Sequence, residues 1–364
     1  MAQTVVVDVS SHGFGHVGQI APVLEGLVST FPSIHVVIRS AHPGYVVREF
    51  VECAVKLDEP PPEAMLVSQD PTTIDTAASV AAYRDLHRKW DEHLDRATAR
   101  LAGLAAQALV ADVPYLSLAA AKRLGIPSIA IGSLNWLDLY RTYCAPAQND
   151  PIIRAMKDAY QSAKVFLQPQ PHMLMSDLRN QRSIGPIART GRRRASDLHK
   201  LLGLTRKERV VLVTFGGIRS QQPLRLPSIS GVHWLVGSNQ AVLADRATHV
   251  CQINMKFIDQ LASCDAVVTK VGYCTFVEAA CNGVGLVSAS RTDWPESAGL
   301  IAWAQENASF ALVEAGIESE RGLRIALSAV LDVPRKMPVT PLGILEAVEV
   351  IADIAGLRQS TTES

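Results

Sequence analysis

Two residues 96 positions apart, His16 and Asp112, are the first candidates for chemistry in this chain. His16 lies in SSHGFGHVGQ, residues 10–19, which follows the apolar run Thr4-Val5-Val6-Val7-Asp8-Val9 and leads into Ile20-Ala21-Pro22-Val23-Leu24. Asp112 closes the run Ala108–Ala111. Both therefore sit at the carboxyl ends of expected parallel strands, where ligands collect in doubly wound sheets. A carboxylate bonded to one imidazole nitrogen fixes the tautomer and leaves the other nitrogen to take a proton. No G-x-S-x-G elbow supplies a nucleophile, so the pair suits deprotonation of an incoming hydroxyl or amine. The structural alternative for Asp112 is an N-cap for the helix VPYLSLAAAKRL.

The loop around His16 carries Gly13, Gly15 and Gly18, a G-x-G-x-x-G spacing between a strand and a helix that also suits a dinucleotide. An acidic residue should then end the second strand, roughly 20 residues on, to hold the ribose. That strand, IHVVIRSAHPG, ends instead in Arg39 and Ser40. An NADP-dependent oxidoreductase using Arg39 for the 2′-phosphate is one alternative reading. On the other, His12, Gly13 and Gly15 line a substrate beside His16, with plain surface placement as the bland option for His12.

A second cluster lies in DAVVTKVGYCTFVEAACNGVG, a buried strand, a turn and a helix. Free N–H groups at a helix start and a nearby glycine suit a diphosphate. The candidates are Lys270, Gly272, Tyr273, Cys274 and Thr275, and Glu278 shares the face of Thr275 one turn on, where a carboxylate can accept both ribose hydroxyls. In VTFGGI, Gly216 and Gly217 form another strand-end turn able to bring backbone N–H groups near a phosphate. Asp293 and Glu296 in SRTDWPES are further polar candidates; an N-cap at Asp293 for a helix near Pro295 is the alternative. The basic run RTGRRR, residues 189–194, reads as a solvated linker face, or as a steering patch for an anionic donor.

These residues need strands to hold them. Short β-branched runs alternate with helical patterns at Val5–Val9, Ile34–Ile38, Ala108–Ala111, Ser128–Ile131 and Val165–Leu167, then at Val210–Thr214, Val232–Val236, Thr248–Cys251, Ala266–Thr269, Gly285–Ala289 and Ala311–Val313. Strands spaced by helices predict an α/β fold with parallel sheets covered on both faces. Two such halves predict one doubly wound domain over residues 1–186, a second over 187–340, and a C-terminal helix and frayed tail over 341–364, with return of that helix to the first domain as one arrangement. The excursion from Glu59 to Leu104 is too long for an ordinary connection. Its Trp90, His87 and Tyr83 form either an aromatic wall or helix packing, the latter being commoner.

The composition narrows the partners. Lys and Arg number 35, as do Asp and Glu, so bulk attraction to nucleic acid is not expected. Six cysteines show no C-x-x-C pair, which predicts reduced thiols in a cytoplasmic protein. No apolar run approaches the roughly 18 residues of a spanning helix, leaving peripheral membrane contact open. No D-x-D motif is present, and neither a metal nor a cofactor is expected.

The stretches SSHGFGHVGQIAPV, ADVPYLSLAAAKRLGIPSIAIGSLNWLDLY, VTFGGI and VVTKVGYCTFVEAACNGVGLVSASRTDWPES resemble glycosyltransferases of the GT-B architecture, two Rossmann-like doubly wound domains facing across a cleft. More narrowly, they are similar to the glycosyltransferase-like N-terminal domain of L-arabinokinase and its free-standing bacterial relatives. The resemblance implies an inverting transferase with an N-terminal acceptor-side domain over 1–186 and a nucleotide-sugar domain over 187–340, in which His16 deprotonates the acceptor and Asp112 orients it. It implies that Glu278 holds the nucleotide ribose and that Asp293 and Glu296 contact sugar hydroxyls or close the donor loop. Lys270-Val271 departs from the His-Cys of plant nucleotide-sugar transferases. UDP is the nucleotide the resemblance favours, with a small-molecule or lipid-linked acceptor. The remaining alternative is a catalytically silent nucleotide-sugar-binding protein or partner subunit.

Overall fold

The computed structural model describes residues 3–69, 73–144, 147, 149–217, 223–238, 241–291, 293–313, 317 and 319–358. The chain divides into two units. The first comprises Met1–Ser68, Ile74–Ile187 and Leu342–Ser364; the second comprises Gln69–Thr73 and Ala188–Pro341.

The first unit is built on seven strands: β1 Thr4–Val9, β2 His35–Arg39, β3 Lys56–Asp58, β4 Ala108–Asp112, β5 Ser128–Ile131, β6 Val165–Pro169 and β7 Gln181–Ile184. They pair in the order β3-β2-β1-β4-β5-β6-β7, all parallel. The order reverses between β1 and β4, so the carboxyl ends of these two strands flank the switch point where doubly wound sheets bind ligands. Val5, Val7 and Val9 of β1 share a core with Ile20, Leu24 and Leu27 of the helix Gly15–Thr30 and with Ala347, Val348 and Ile351 of the helix Gly343–Ala355. A returning helix at the chain's end thus covers the first helix. Gly26 makes room for it, because a Cβ there would stand 2.9 Å from Val348 Cγ2.

The second unit repeats the plan with β8 Arg209–Val213, β9 Val232–Val236, β10 Ala247–His249, β11 Ala266–Thr269, β12 Gly285–Ala289 and β13 Phe310–Val313. Their order is β10-β9-β8-β11-β12-β13, again all parallel. Residues of β8 alternate between two cores, Val210 and Leu212 in one and Val211 and Val213 in the other. A sheet buried on both faces requires that period of two.

Two readings of the sequence need correction. The edge strands β3 and β7 lie outside the strands expected, since Lys56–Asp58 and Gln181–Ile184 are largely polar and partly exposed. The strand expected over Thr248–Cys251 ends at His249, where Gln252 Oε1 accepts the His249 N–H at 3.0 Å and the chain turns into a short 3₁₀ segment. RTGRRR keeps Arg192, Arg193 and Arg194 exposed, as a solvated face requires, while its backbone and Arg189 form a strap along the second unit, described below. Among the described residues, no helix is long and apolar enough to cross a membrane.

Candidate functional site

Val9 of β1 and Asp112 of β4 are register partners at the carboxyl ends of adjacent strands. Beyond Val9 the chain turns through Gly13, whose φ of +71° is a left-handed conformation that favours glycine. The helix then begins at Gly15, and His16, its second residue, is buried. His16 Nδ1 meets Asp112 Oδ1 at 2.8 Å. With the proton on Nδ1, the contact directs the basic lone pair to Nε2. Burial pushes the Asp112 carboxyl above its ordinary range, and the neighbouring His16 pulls it partly back. Asp112 Oδ2 has no hydrogen-bond partner among the described residues.

Asp112 is not a helix cap. The helix Tyr115–Leu124 starts after Pro114 and has no side-chain cap, because the intervening backbone takes another course. Val113 has a φ of +68°, uncommon for a β-branched residue and of order 1–3 kcal/mol in strain. Its carbonyl accepts from the Tyr160 hydroxyl at 2.8 Å, and that hydroxyl accepts the Trp136 N–H at 3.1 Å. Gly132 completes the support, since a Cβ there would come within 2.8 Å of Val113 Cγ1. The turn carrying Asp112 is therefore braced from two sides.

Trp136, fully buried, faces both loop histidines. Its ring lies 5.2 Å from His12, edge-on, and 5.9 Å from His16. His12 is thus partly buried against an indole rather than placed on the surface. Trp136 Nε1 donates to Glu63 Oε1 at 2.8 Å. The Ser10 side chain and the Ser11 backbone pull this carboxyl downward, and the Ser10 hydroxyl donates to the neighbouring Met65 Sδ at 3.6 Å. Burial is the largest influence on Glu63 and raises it to about 7 against these stabilising contacts and the charge of His16. Sequence reasoning missed Glu63 and Trp136. The available signal was an acid set between prolines and the buried Ala64 and Leu66 in the overlong excursion.

Elsewhere in the excursion the aromatic residues pack. Tyr83 is buried 4.7 Å from Tyr140, and His87 stacks on Trp90 at 4.9 Å while its Nε2 meets the Tyr115 hydroxyl at 2.9 Å. Burial lowers His87 to about 4. A cavity of about 330 Å³ opens at the ends of β2 and β3, lined by Ser40, His42, Asp58 and Glu59 among others. His42 Nε2 reaches back to the Gly13 carbonyl at 2.9 Å.

The oxidoreductase reading loses its phosphate partner in this geometry. Arg39 is 1% exposed, and its guanidinium clamps both carboxylate oxygens of Asp8 at 2.6 Å. Asp8 and Arg39 are register partners on β1 and β2. A bidentate buried pair satisfies the charge inside the sheet and leaves Arg39 turned away from any ligand at the loop.

The second unit has its own switch point between β8 and β11. After β8, Gly216 adopts a φ of +76° and a Cβ there would meet nothing within 4 Å; Gly217 follows, and Ile218 lies outside the described residues. After β11, Lys270 and Val271 lead to Gly272, which caps the helix Tyr273–Cys281 with extended backbone and no side-chain bond. Gly272 also faces open space. Tyr273 is buried, whereas Lys270, Cys274 and Thr275 are partly exposed in the opening turn. A helix start without a side-chain cap, beside open glycine turns, suits an anion.

Glu278, by contrast, is buried and already engaged, its Oε1 accepting from Arg189 Nε at 2.6 Å. Arg189 belongs to the strap. Gly191 N–H donates to Asn282 Oδ1 at 2.9 Å, Arg192 N–H to Asp259 at 2.8 Å and Arg194 N–H to Ser263 at 2.8 Å. A Cβ on Gly191 would lie 2.3 Å from the Ile258 carbonyl oxygen, so the strap passes that backbone only as glycine. Asp293 is exposed and pairs with Arg291 at 3.5 Å; Arg291 in turn lies 4.5 Å over the Trp294 ring. Glu296 is buried, with Oε2 accepting from Trp294 Nε1 at 2.9 Å. The helix starts at Ser297 after Glu296, so Asp293 does not cap it.

No family model matches this chain. L-arabinokinase from Arabidopsis thaliana is 24% identical over 286 residues, which cover 74% of this chain and 26% of that protein. The chain thus spans about a quarter of the length of the curated relative it matches. Among solved structures, a UDP-glucosyltransferase from Polygonum tinctorium capable of glucosylating indoxyl is 16% identical, with 98% of this chain and 99% of that one covered and a TM-score of 0.58. UGT89C1 from Arabidopsis thaliana, complexed with quercetin, is 13% identical with 98% and 100% covered and a TM-score of 0.59. The fold shared with these structures is GT-B, two Rossmann-like units in one chain.

Proposed function

We propose that this chain is an inverting glycosyltransferase that moves a sugar from a nucleoside diphosphate donor, UDP being favoured, to a small-molecule or lipid-linked acceptor. The observation that carries this reading is the 2.8 Å contact between His16 Nδ1 and Asp112 Oδ1 at the first switch point. The acceptor O–H or N–H gives its proton to His16 Nε2 while its lone pair attacks the anomeric carbon. The bond from that carbon to the diphosphate oxygen breaks, and the diphosphate leaves with the electron pair. Asp112 holds the imidazole and stabilises the imidazolium that forms.

The glycine turns at Gly216–Gly217 and Gly272–Thr275 support a diphosphate site, where backbone N–H groups and a helix start stabilise the leaving charge. Lys270 adds a point charge near the same turn. Glu278 is the ribose ligand in this proposal, and its pair with Arg189 would open or be shared when the hydroxyls arrive. Asp293 and Glu296 stand beside the donor sugar, and His12, Gly13 and Gly15 beside the acceptor. The similarity to glycosyltransferase structures and to L-arabinokinase supports the same class of reaction.

Transfer and hydrolysis of a panel of nucleotide sugars, compared between wild type and His16→Ala, test the proposal. Loss of a general base should lower the rate by about 10²–10⁴-fold. A variant that transfers sugar at the wild-type rate overturns His16 as the base. Calorimetric binding of UDP, GDP and dTDP identifies the nucleotide, and binding without any turnover points instead to a silent nucleotide-sugar-binding protein.

A further inference from the structure

The dyad does not stand alone. Glu63 comes from the loop between β3 and the short strand Val67–Ser68, and the buried Ala64 and Leu66 anchor that loop. Its carboxyl meets the Trp136 indole at 2.8 Å, and the same indole faces the His12 and His16 rings. The hydroxyls of Ser10 and Ser11, in the segment that leads to His16, donate to Met65 Sδ of the same loop at 3.6 and 3.9 Å. One carboxylate is thus tied to the glycine loop, to the Trp136 wall and, through space, to the imidazole of His16.

A loop anchor needs hydrogen-bond acceptors, not an ionisable group, and a neutral amide would serve as well without the cost of enclosing a charge. Enclosed carboxyls that face a second titratable group occur where their charge is used. The groups acting on Glu63 are His16, which contacts Asp112 at 2.8 Å, and the phenols of Tyr83, Tyr115 and Tyr160. His16 itself also acts on His42, which burial lowers, and the His12 ring faces the same indole at 5.2 Å. Of the groups acting on Glu63, only His16 changes charge near neutral pH.

We propose that Glu63 is a positioning residue for His16, an electrostatic partner that sets the pH at which the imidazole gives up its proton. Its catalytic meaning rests on the glycosyltransferase reading, but its physical content does not. With Glu63 ionised, the imidazolium is stabilised; with the charge removed, His16 becomes neutral at lower pH. The two groups then titrate as a coupled pair rather than singly.

The test uses Glu63→Gln in the full chain, since glutamine keeps an oxygen to accept from Trp136. NMR titration of the His16 ring, assigned by its loss in His16→Gln, should show the midpoint falling by about half a pH unit to one unit. The acid limb of the kcat/KM profile should move down with it. Carboxyl carbon NMR of wild type provides a measurement that needs no Glu63 variant: Glu63 and His16 should each show two-step titrations. An unmoved His16 midpoint in folded Glu63→Gln, or independent single-step curves in wild type, overturns the proposal. A shifted midpoint without sugar transfer sinks the transferase reading and leaves the pairing intact. Transfer with an unshifted pH profile sinks the pairing alone.

Discussion

At the scale of single residues, burial and partners shift carboxyls in opposite directions, as Glu63 and Glu208 show. Glu63, raised to about 7 by burial, binds a proton more tightly folded than unfolded, where a glutamate titrates near 4.5. Its contribution to stability is therefore full below about pH 4.5 and is lost as pH rises through about 7. Glu208 has the opposite sign: Arg246, then Thr205, lower it to about 2, so its contribution is present at neutral pH and lost in acid. Comparing wild type with Glu63→Gln by urea denaturation isolates the first effect. The stability advantage of wild type should shrink by about 2–3 kcal/mol between pH 4.5 and pH 8. A difference that stays constant with pH would show that Glu63 does not titrate in that window. His16 and Asp112 were legible in the sequence because both stand at strand ends, which the apolar runs mark. Glu63 was not, since its loop has no period and its partner Trp136 lies 73 positions away.

At the scale of elements, central strands were readable where both faces are buried, as in Ser128–Ile131, Val232–Val236 and Gly285–Ala289. A continuous apolar run is the direct consequence of two covering layers. Edge strands lack that constraint, and Lys56–Asp58 and Gln181–Ile184 carry polar residues that look like loop. The strap at 189–194 was hidden for a different reason: its role rests on backbone N–H groups and on the one glycine that fits against Ile258, neither of which a count of basic residues reveals. On one of its two braced sides, the turn after β4 is held by a single hydroxyl. Tyr160 donates to the strained Val113 and accepts from Trp136, so Tyr160→Phe leaves a buried carbonyl and a buried N–H without their partner. The cost should be about 1–3 kcal/mol by denaturant titration. Sugar transfer should fall as well, through kcat more than KM, because Asp112 precedes the released turn. A Tyr160→Phe protein of wild-type stability and activity would mean that the turn is held by packing alone.

For the molecule as a whole, the chain completes its first unit only after building its second. The helix Gly343–Ala355 supplies Ala347, Val348 and Ile351 to the core beneath β1 and the helix Gly15–Thr30. Its entry is specified closely, since a Cβ on Gly343 would fall 1.9 Å from the Gly185 carbonyl oxygen while Gly343 N–H donates to Pro186 O at 3.1 Å. The helix that begins the candidate site therefore depends on residues more than 300 positions later in the chain. Ile351 is 0% exposed in that contact, and Ile351→Ala removes apolar contact and leaves a cavity, which should cost about 2–5 kcal/mol. The loss should fall on the first unit. Hydrogen exchange should quicken in β1, β4 and the helix bearing His16, while amides of β8 and β11 keep their protection. Under the proposed function, which puts UDP on the second unit and the base on the first, UDP affinity should then survive while transfer weakens. Equal loss of protection in both units would show that they unfold together, and the division of labour between the two sheets would no longer follow from their separate cores.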